Sequence, residues 1–341
     1  MRLASWLRRP VVWLPISIGL IGLLIWRARP WEAAGAVGAV DPLPLIVAAA
    51  LCAVVATLWA LRSSDLLAGA GQRIAVGPLI PMTAFANTIN NLTPGSAGEV
   101  VRMYLLRAHH RVDYATSAAV IFVERVGAMG YLTTSALLAW ATWLGIAPAW
   151  LAAFIAVLLV AGPVVVYRAG LRPLAVVRAL PAGAVVGLDR WDRAKGWLGR
   201  VDDATAQLVG RPRRLLAFVA ITVTILGIYA TQLILVARAF GVILDPLAAW
   251  GALGVAMTVG VLTLLPFGLG TADLTLAGLL VVLGTSPGAA LAITLGYRLV
   301  STLPLGVAGV LSYAWLSARL PRGGMADAAR AIGSEVADPS R

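Results

Sequence analysis

The sequence predicts an all-α polytopic membrane protein. It is expected to be an inverted repeat with two broken or re-entrant helical hairpins, about six full transmembrane helices plus the two hairpins. Three observations lead there. Hydrophobic residues make up 60% of the 341 positions, charged residues only 12%, and mean hydropathy is +0.89, which is too apolar for a soluble domain. Apolar runs of roughly 16 to 25 residues recur along the chain, and no alternating β-barrel pattern competes with them. Finally, one rare arrangement occurs twice: an acid just past a Pro/Gly-rich break, then an arginine inside a long apolar run. The acids are Glu99 and Asp273, 174 residues apart, followed by Arg125 after 26 residues and Arg298 after 25.

The elements follow in order. A first helix is expected over 11–26, preceded by Arg2, Arg8 and Arg9. Trp26-Arg27-Ala28-Arg29-Pro30 lacks the small residues of a signal-peptide cleavage site, so this helix is expected to be retained. The second helix, 43–61, holds the single cysteine, Cys52. One cysteine can form neither an internal disulfide nor a cysteine-rich metal site. The region 78–106 is broken at Pro94, Gly95 and Gly98. Its arms are short for a hydrocarbon core of about 30 Å at about 1.5 Å per residue, so a re-entrant hairpin is expected. Helices over 115–143, 148–167 and 215–237 follow. A second broken region, 247–283, is interrupted at Pro266, Gly268 and Gly270, and its longer arms also suit a full crossing. A last helix covers 289–316. The whole of 1–318 reads as one domain with halves at about 43–167 and 215–316, joined by a connection at 168–214. The tail 319–341 is expected to be disordered.

Charge sets the expected orientation. The formal charge is +12, and the connection from Arg168 to Arg214 carries ten basic and four acidic residues, half of the excess. A basic segment concentrated in one connection is how the positive-inside rule looks in sequence, and no basic fold module accompanies it to suggest nucleic acid. Arg62, Arg73, Arg102, Arg107 and Arg111 place both ends of the first broken region on the cytoplasmic side, while the stretch near Gly145 is uncharged. Both termini are then cytoplasmic and the two broken regions enter from opposite sides. Within the connection, Leu188, Trp191, Lys195, Leu198, Val201 and Leu208 approach helical spacing opposite Asp192, Arg200 and Asp203. An amphipathic helix on anionic headgroups is expected there, with Asp202-Asp203 on its solvated face.

Charges inside apolar segments mark candidate sites. Arg125 and Arg298 lie ten and nine residues into their expected helices, about 15 Å deep, level with Glu99 and Asp273 at the hairpin tips. Two readings of these four are open. They form structural ion pairs, Arg125 with Glu99 and Arg298 with Asp273, or the arginines are ligands for a phosphate or other anionic headgroup. Glu99 has a second reading as the partner of Ser96 in a capping box, and Thr271 caps its helix similarly. Glu124 and Arg125 point about 100° apart on a helix and need not pair. Asn87, Asn90 and Asn91 stand on one hairpin arm, Asn87 and Asn91 sharing a face, either to satisfy hairpin backbone or to line a polar path. Adjacent His109 and His110 make a poor metal site, and no cofactor or catalytic constellation is recognisable.

The stretch Asn87–Arg102, with Pro94-Gly95-Ser96-Ala97-Gly98-Glu99 and Arg102, followed by Glu124-Arg125, resembles the flippase-like membrane region of lysylphosphatidylglycerol synthases. Leu265-Pro266-Phe267-Gly268-Leu269-Gly270 and Tyr297-Arg298 continue the likeness, which spans about 10 to 318. The sequence departs from that family at Ser96, often basic in members, at Gly127 and its neighbours, where members carry an acid, and at Asp273, where they carry glutamate. These departures bear on the substrate rather than the fold. The synthases' soluble aminoacyl-transferase domain has no counterpart here. The resemblance implies a bacterial cytoplasmic-membrane protein that moves an anionic lipid and is not an enzyme. It implies as partner an anionic phospholipid or a polyprenyl-phosphate carrier, bound by Arg125, Arg298, Glu99, Asp273, Asn87, Asn91, Arg102, Glu124 and Tyr297. A membrane transferase acting on lipid-linked sugar and a non-catalytic assembly subunit are the alternatives.

Overall fold

The computed structural model describes residues 40–92, 97–146, 148, 150, 188–209, 211–263 and 270–317. Every regular element among them is a helix: α1 Pro42–Gly69, α2 Val76–Leu92, α3 Ala97–His110, α4 Tyr114–Trp143, α5 Leu188–Val209, α6 Pro212–Ala239, α7 Pro246–Leu262, α8 Thr271–Val282 and α9 Pro287–Ser317. The expected helices 11–26 and 148–167, the tail 319–341, and Pro94, Gly95, Pro266 and Gly268 lie outside the described residues.

Local chemistry sets the boundaries. Asp41 caps α1 by accepting from the Leu43 N–H at 3.0 Å, Asp113 caps α4 through Thr116 at 2.8 Å, and Asp245 caps α7 through Leu247 and Ala248. Proline follows at the first turn of α1, α6 and α7, where its missing N–H costs no helical bond. The α1 and α6 helices both end at glycines with φ of 85° (Gly71) and 75° (Gly241), the left-handed conformation that lets the chain turn away. Two series then match in order and length: α1, α2, α3 and α4 have 28, 17, 14 and 30 residues, and α6, α7, α8 and α9 have 28, 17, 12 and 31.

Packing pairs the two series. The α1 helix lies along α6, α2 along α9, and α4 along α7, while each broken region keeps its own halves together, α2 on α3 and α7 on α8. Small residues permit these approaches, as in membrane helix pairs generally. A Cβ on Gly251 would strike the Trp140 ring and one on Gly254 would strike Ala136, both across the α4–α7 contact, and one on Gly309 would strike Thr88 of α2. Thr133 and Thr258 bridge α4 to α7 at 3.1 Å, and Gln232 of α6 donates to the Ala48 carbonyl of α1 at 2.8 Å. Cys52 is buried beside this contact.

Two apolar clusters result. One gathers Leu66, Leu67, Leu105, Val120, Val201, Leu208 and Phe218; the other gathers Leu233, Val236, Leu253, Leu280 and Ile293. Large apolar side chains such as Leu43, Ile46, Leu216, Leu303 and Leu311 point outward. Among the described residues three helices are long and apolar enough by themselves to cross a membrane: α1, α6 from Arg213, and α9 to Leu316. The 30-residue α4 is not among them. Its Glu124-Arg125 and its Gly, Ser and Thr positions serve packing and polar contacts and lower its hydropathy.

Two expectations change here. The α1 helix runs two turns beyond residue 61, through Arg62, Ser63, Ser64 and Asp65. Leu66 and Leu67 bury in the core, and Ser64 donates to the Ile74 carbonyl at 2.6 Å. The connection does contain an amphipathic helix, α5, which packs on α4, but Val201 and Leu208 bury in the protein's own core, Leu208 close to Gly69 of α1, rather than facing lipid. Asp202 is buried with them, whereas Asp203 is exposed as expected for a solvated face.

Candidate functional site

Both acids are the third residue of their helices, Glu99 in α3 and Asp273 in α8. Both arginines stand eleven residues beyond the first residue of theirs, Arg125 in α4 and Arg298 in α9, which is about 16 Å along the axis. Each half therefore brings its acid and its arginine together. Arg125 Nε donates to Glu99 Oε1 at 2.8 Å, and its Nη2 reaches the same oxygen. Arg298 Nε donates to Asp273 Oδ1 at 2.7 Å. The ion-pair reading of the four charges is realised in the structure. Asn90 adds a bond to Glu99 Oε1 at 3.0 Å, so the polar arm of α2 contacts the acid through Asn90.

A capping role is visible at Asp273. Its Oδ2 accepts from the Gly270 N–H at 3.1 Å, and Gly270, at φ 88°, is the N-cap. Thr271 does not take that place: it is the first helical residue, and its hydroxyl meets that of Thr263 at 2.8 Å. The difference follows from backbone conformation, because a positive φ at the cap suits glycine rather than a β-branched residue. Ser96 lies outside the described residues. Gly98 follows it at the start of α3 against α2, where a Cβ would collide with the Ala86 carbonyl oxygen.

Glu124 does not pair with its neighbour Arg125. It turns to the inside of the first half, where Arg102 donates to Oε2 and Ser63 donates to Oε1 at 2.6 Å. Arg102 Nε also lies 3.6 Å from Glu99 Oε2. A chain of contacts thus links Ser63, Glu124, Arg102, Glu99 and Arg125. Arg102 is only 7% exposed, so it belongs to the interior rather than to the flanking charges that orient the protein. The reason is its position one turn after Glu99, on the same face of α3.

These groups surround one cavity of about 460 Å³. Its wall includes Asn87, Asn91, Glu99, Arg102, Glu124, Arg125, Asp273, Tyr297 and Arg298, all nine residues that the resemblance implied. Sequence reasoning missed Trp59, Arg62, Ser63, Thr222 and Tyr229, which line it too. In sequence Arg62 resembles a charge marking a helix end. The apolar Leu66-Leu67 that follow it are the available signal that the helix continues and carries the arginine inward. Among the described residues no group of three His, Cys, Asp or Glu side chains is placed to hold a metal.

The chain matches known proteins over most of its length. It is 26% identical over 328 residues to a protein described as a UPF0104 membrane protein of Methanothermobacter thermautotrophicus, covering 86% of this chain and 92% of that one. It is 28% identical over 116 residues to the Glycosyltransferase AglD of Haloferax volcanii, which is 34% of this chain but 19% of that protein. No solved structure matches it. The family described as the lysylphosphatidylglycerol synthase TM region matches residues 12–309. The chain is a multi-pass membrane protein belonging to the family of the lysylphosphatidylglycerol synthase TM region.

Proposed function

We propose that this protein is a lipid transporter that carries an anionic, phosphate-bearing headgroup through the cavity between its two halves, and that it is not an enzyme. The observation that carries this reading is the convergence on one cavity of an acid–arginine pair from each half. Charges are costly within a membrane and cluster where polar cargo passes. The cavity volume falls in the range of about 300–1,000 Å³ typical of small-molecule sites. An arginine already paired with a carboxylate can exchange that partner for a phosphate, so the empty site stays neutral at each pair and the cargo displaces an internal ligand.

The proposed mechanism is alternating access around an inverted repeat. Two observations support it. Exchanging α1–α4 for α6–α9 leaves the set of packed pairs among these eight helices unchanged, α1 on α6 mapping to itself and α2 on α9 mapping to α7 on α4. Loop charges favour opposite senses for the two halves. In this reading the broken regions are the moving gates, both termini face the cytoplasm, and the protein resides in the bacterial cytoplasmic membrane. The cargo is an anionic phospholipid or a polyprenyl-phosphate carrier.

Reconstitution tests the proposal. Fluorescent headgroup-labelled phosphatidylglycerol in proteoliposomes is expected to cross several-fold faster with the protein than without it. Arg298→Ala is expected to return the rate to background while the variant elutes as the folded protein does. Wild-type rates in a folded Arg298→Ala protein would sink the transport role of this site. The partial likeness to a glycosyltransferase favours a second reading, a membrane transferase acting on lipid-linked sugar. Transfer of labelled sugar to a lipid acceptor by the purified protein would establish that reading instead.

A further inference from the structure

One cation in the cavity differs from the others. Arg125 and Arg298 each bind a carboxylate, and Arg102 binds Glu124. Arg62 forms no ion pair with any described residue. Its guanidinium donates to the Thr222 hydroxyl at 3.3 Å and lies over the Phe218 ring at 5.6 Å, while its Nε is enclosed with no hydrogen-bond partner. Glu124, Arg102 and Arg125 are its charged neighbours across the cavity. A guanidinium in such a place has donors to spare, and leaving them unmet is costly.

The charge count at the wall points the same way. Among the described residues of the wall, four arginines, Arg62, Arg102, Arg125 and Arg298, face three carboxylates, Glu99, Glu124 and Asp273, leaving one positive charge. An occupant bearing one negative charge neutralises the cavity, whereas a diphosphate leaves it with excess negative charge in a low-dielectric setting.

Building on the lipid-carrier reading above, we infer that Arg62 and Thr222 seat the phosphate of a lipid whose headgroup is joined through a single phosphate diester, rather than a diphosphate-linked carrier. The Nε and Nη donors of Arg62 address the two non-bridging phosphate oxygens in the fork geometry that guanidinium favours, and the Thr222 hydroxyl, which now accepts from Arg62, turns to donate to one of the same two. Phe218 holds the guanidinium plane in place.

The test is binding to the purified full-length protein in a neutral detergent, followed by intrinsic tryptophan fluorescence. Trp59 lines the cavity and supplies a local probe. The ligands are dihexanoyl-phosphatidylglycerol, farnesyl diphosphate and inorganic phosphate. Wild type is expected to bind the phosphatidylglycerol more tightly than either of the others. Arg62→Gln is expected to weaken that binding by about tenfold or more, and Thr222→Val by a smaller factor, because a charge-assisted bond outweighs a neutral one. Arg62→Lys restores part of it. Tighter binding of farnesyl diphosphate would overturn the assignment of substrate class. Tighter binding of inorganic phosphate would overturn the lipid source of the anion. Unchanged affinity in both folded variants would overturn Arg62 as the seat while leaving the carrier reading intact. No lipid binding by wild type would overturn both. If Arg62→Gln fails to fold, Thr222→Val decides the seat alone.

Discussion

Arg102→Met is expected to lower the stability of the folded protein by about 3–5 kcal/mol, the cost of breaking a buried ion pair by removing one partner. The substitution leaves Glu124, 4% exposed, with the Ser63 hydroxyl as its remaining hydrogen-bond partner. It also removes the contact that joins α3 to the Glu99 side of the network. Thermal unfolding in detergent measures the loss. Adding Glu124→Leu is expected to recover most of it, since an apolar pair of similar volume needs no charge compensation. A single variant that unfolds within about 1 kcal/mol of wild type would show that this pair contributes no more than an exposed one does.

Gly98→Val is expected to be the most damaging change at either break. The Cβ at this position would meet the backbone oxygen of Ala86 and the Asn90 side chain. Backbone inside a packed helix cannot swing aside as a flexible side chain can, so α3 has to move off α2. That displacement carries Glu99 away from both Asn90 and Arg125. Overpacking alone costs about 1–3 kcal/mol, and the loss of Glu99's contacts adds to it, so reduced yield of folded protein and loss of lipid transport are expected together. Gly130→Ala in α4 is the control. Nothing lies within 4 Å of the added Cβ there, and helix propensity favours alanine by about 1 kcal/mol. Size-exclusion profiles of the two variants separate the outcomes. A normally folded Gly98→Val protein would show that α2 and α3 do not pack so closely.

Much of this architecture is legible in the amino-acid sequence. The helices expected at 115–143, 215–237 and 289–316 are α4, α6 and α9 with ends shifted by at most three residues, because long apolar runs bounded by Asp-capped or Pro-led starts leave the backbone few alternatives. The matched spacing of Glu99 to Arg125 and of Asp273 to Arg298 is visible too, and both pairs form. Other features are hidden. Arg62 and Arg102 look in sequence like the charges that flank a membrane span, since composition cannot tell a charge that faces water from one turned into a cavity. Asp202 resembles a surface acid for the same reason. The lipid-facing helix expected in the connection is covered by α4, and periodicity reports that an apolar face exists without naming what covers it.

Composition and spacing along one chain are enough to establish the membrane environment, the helical class and the duplicated acid and arginine, and the resemblance of its motifs points to the family. Which charges meet is a matter of packing in three dimensions. Glu124 pairs with Arg102 rather than with its neighbour Arg125, Asn90 alone of the three asparagines reaches Glu99, and Arg62 stays inside without a carboxylate partner among the described residues. Such choices depend on how α1, α3, α4 and α6 are rotated against one another. That rotation is set by the close contacts of small residues across the helix pairs, which no single segment encodes.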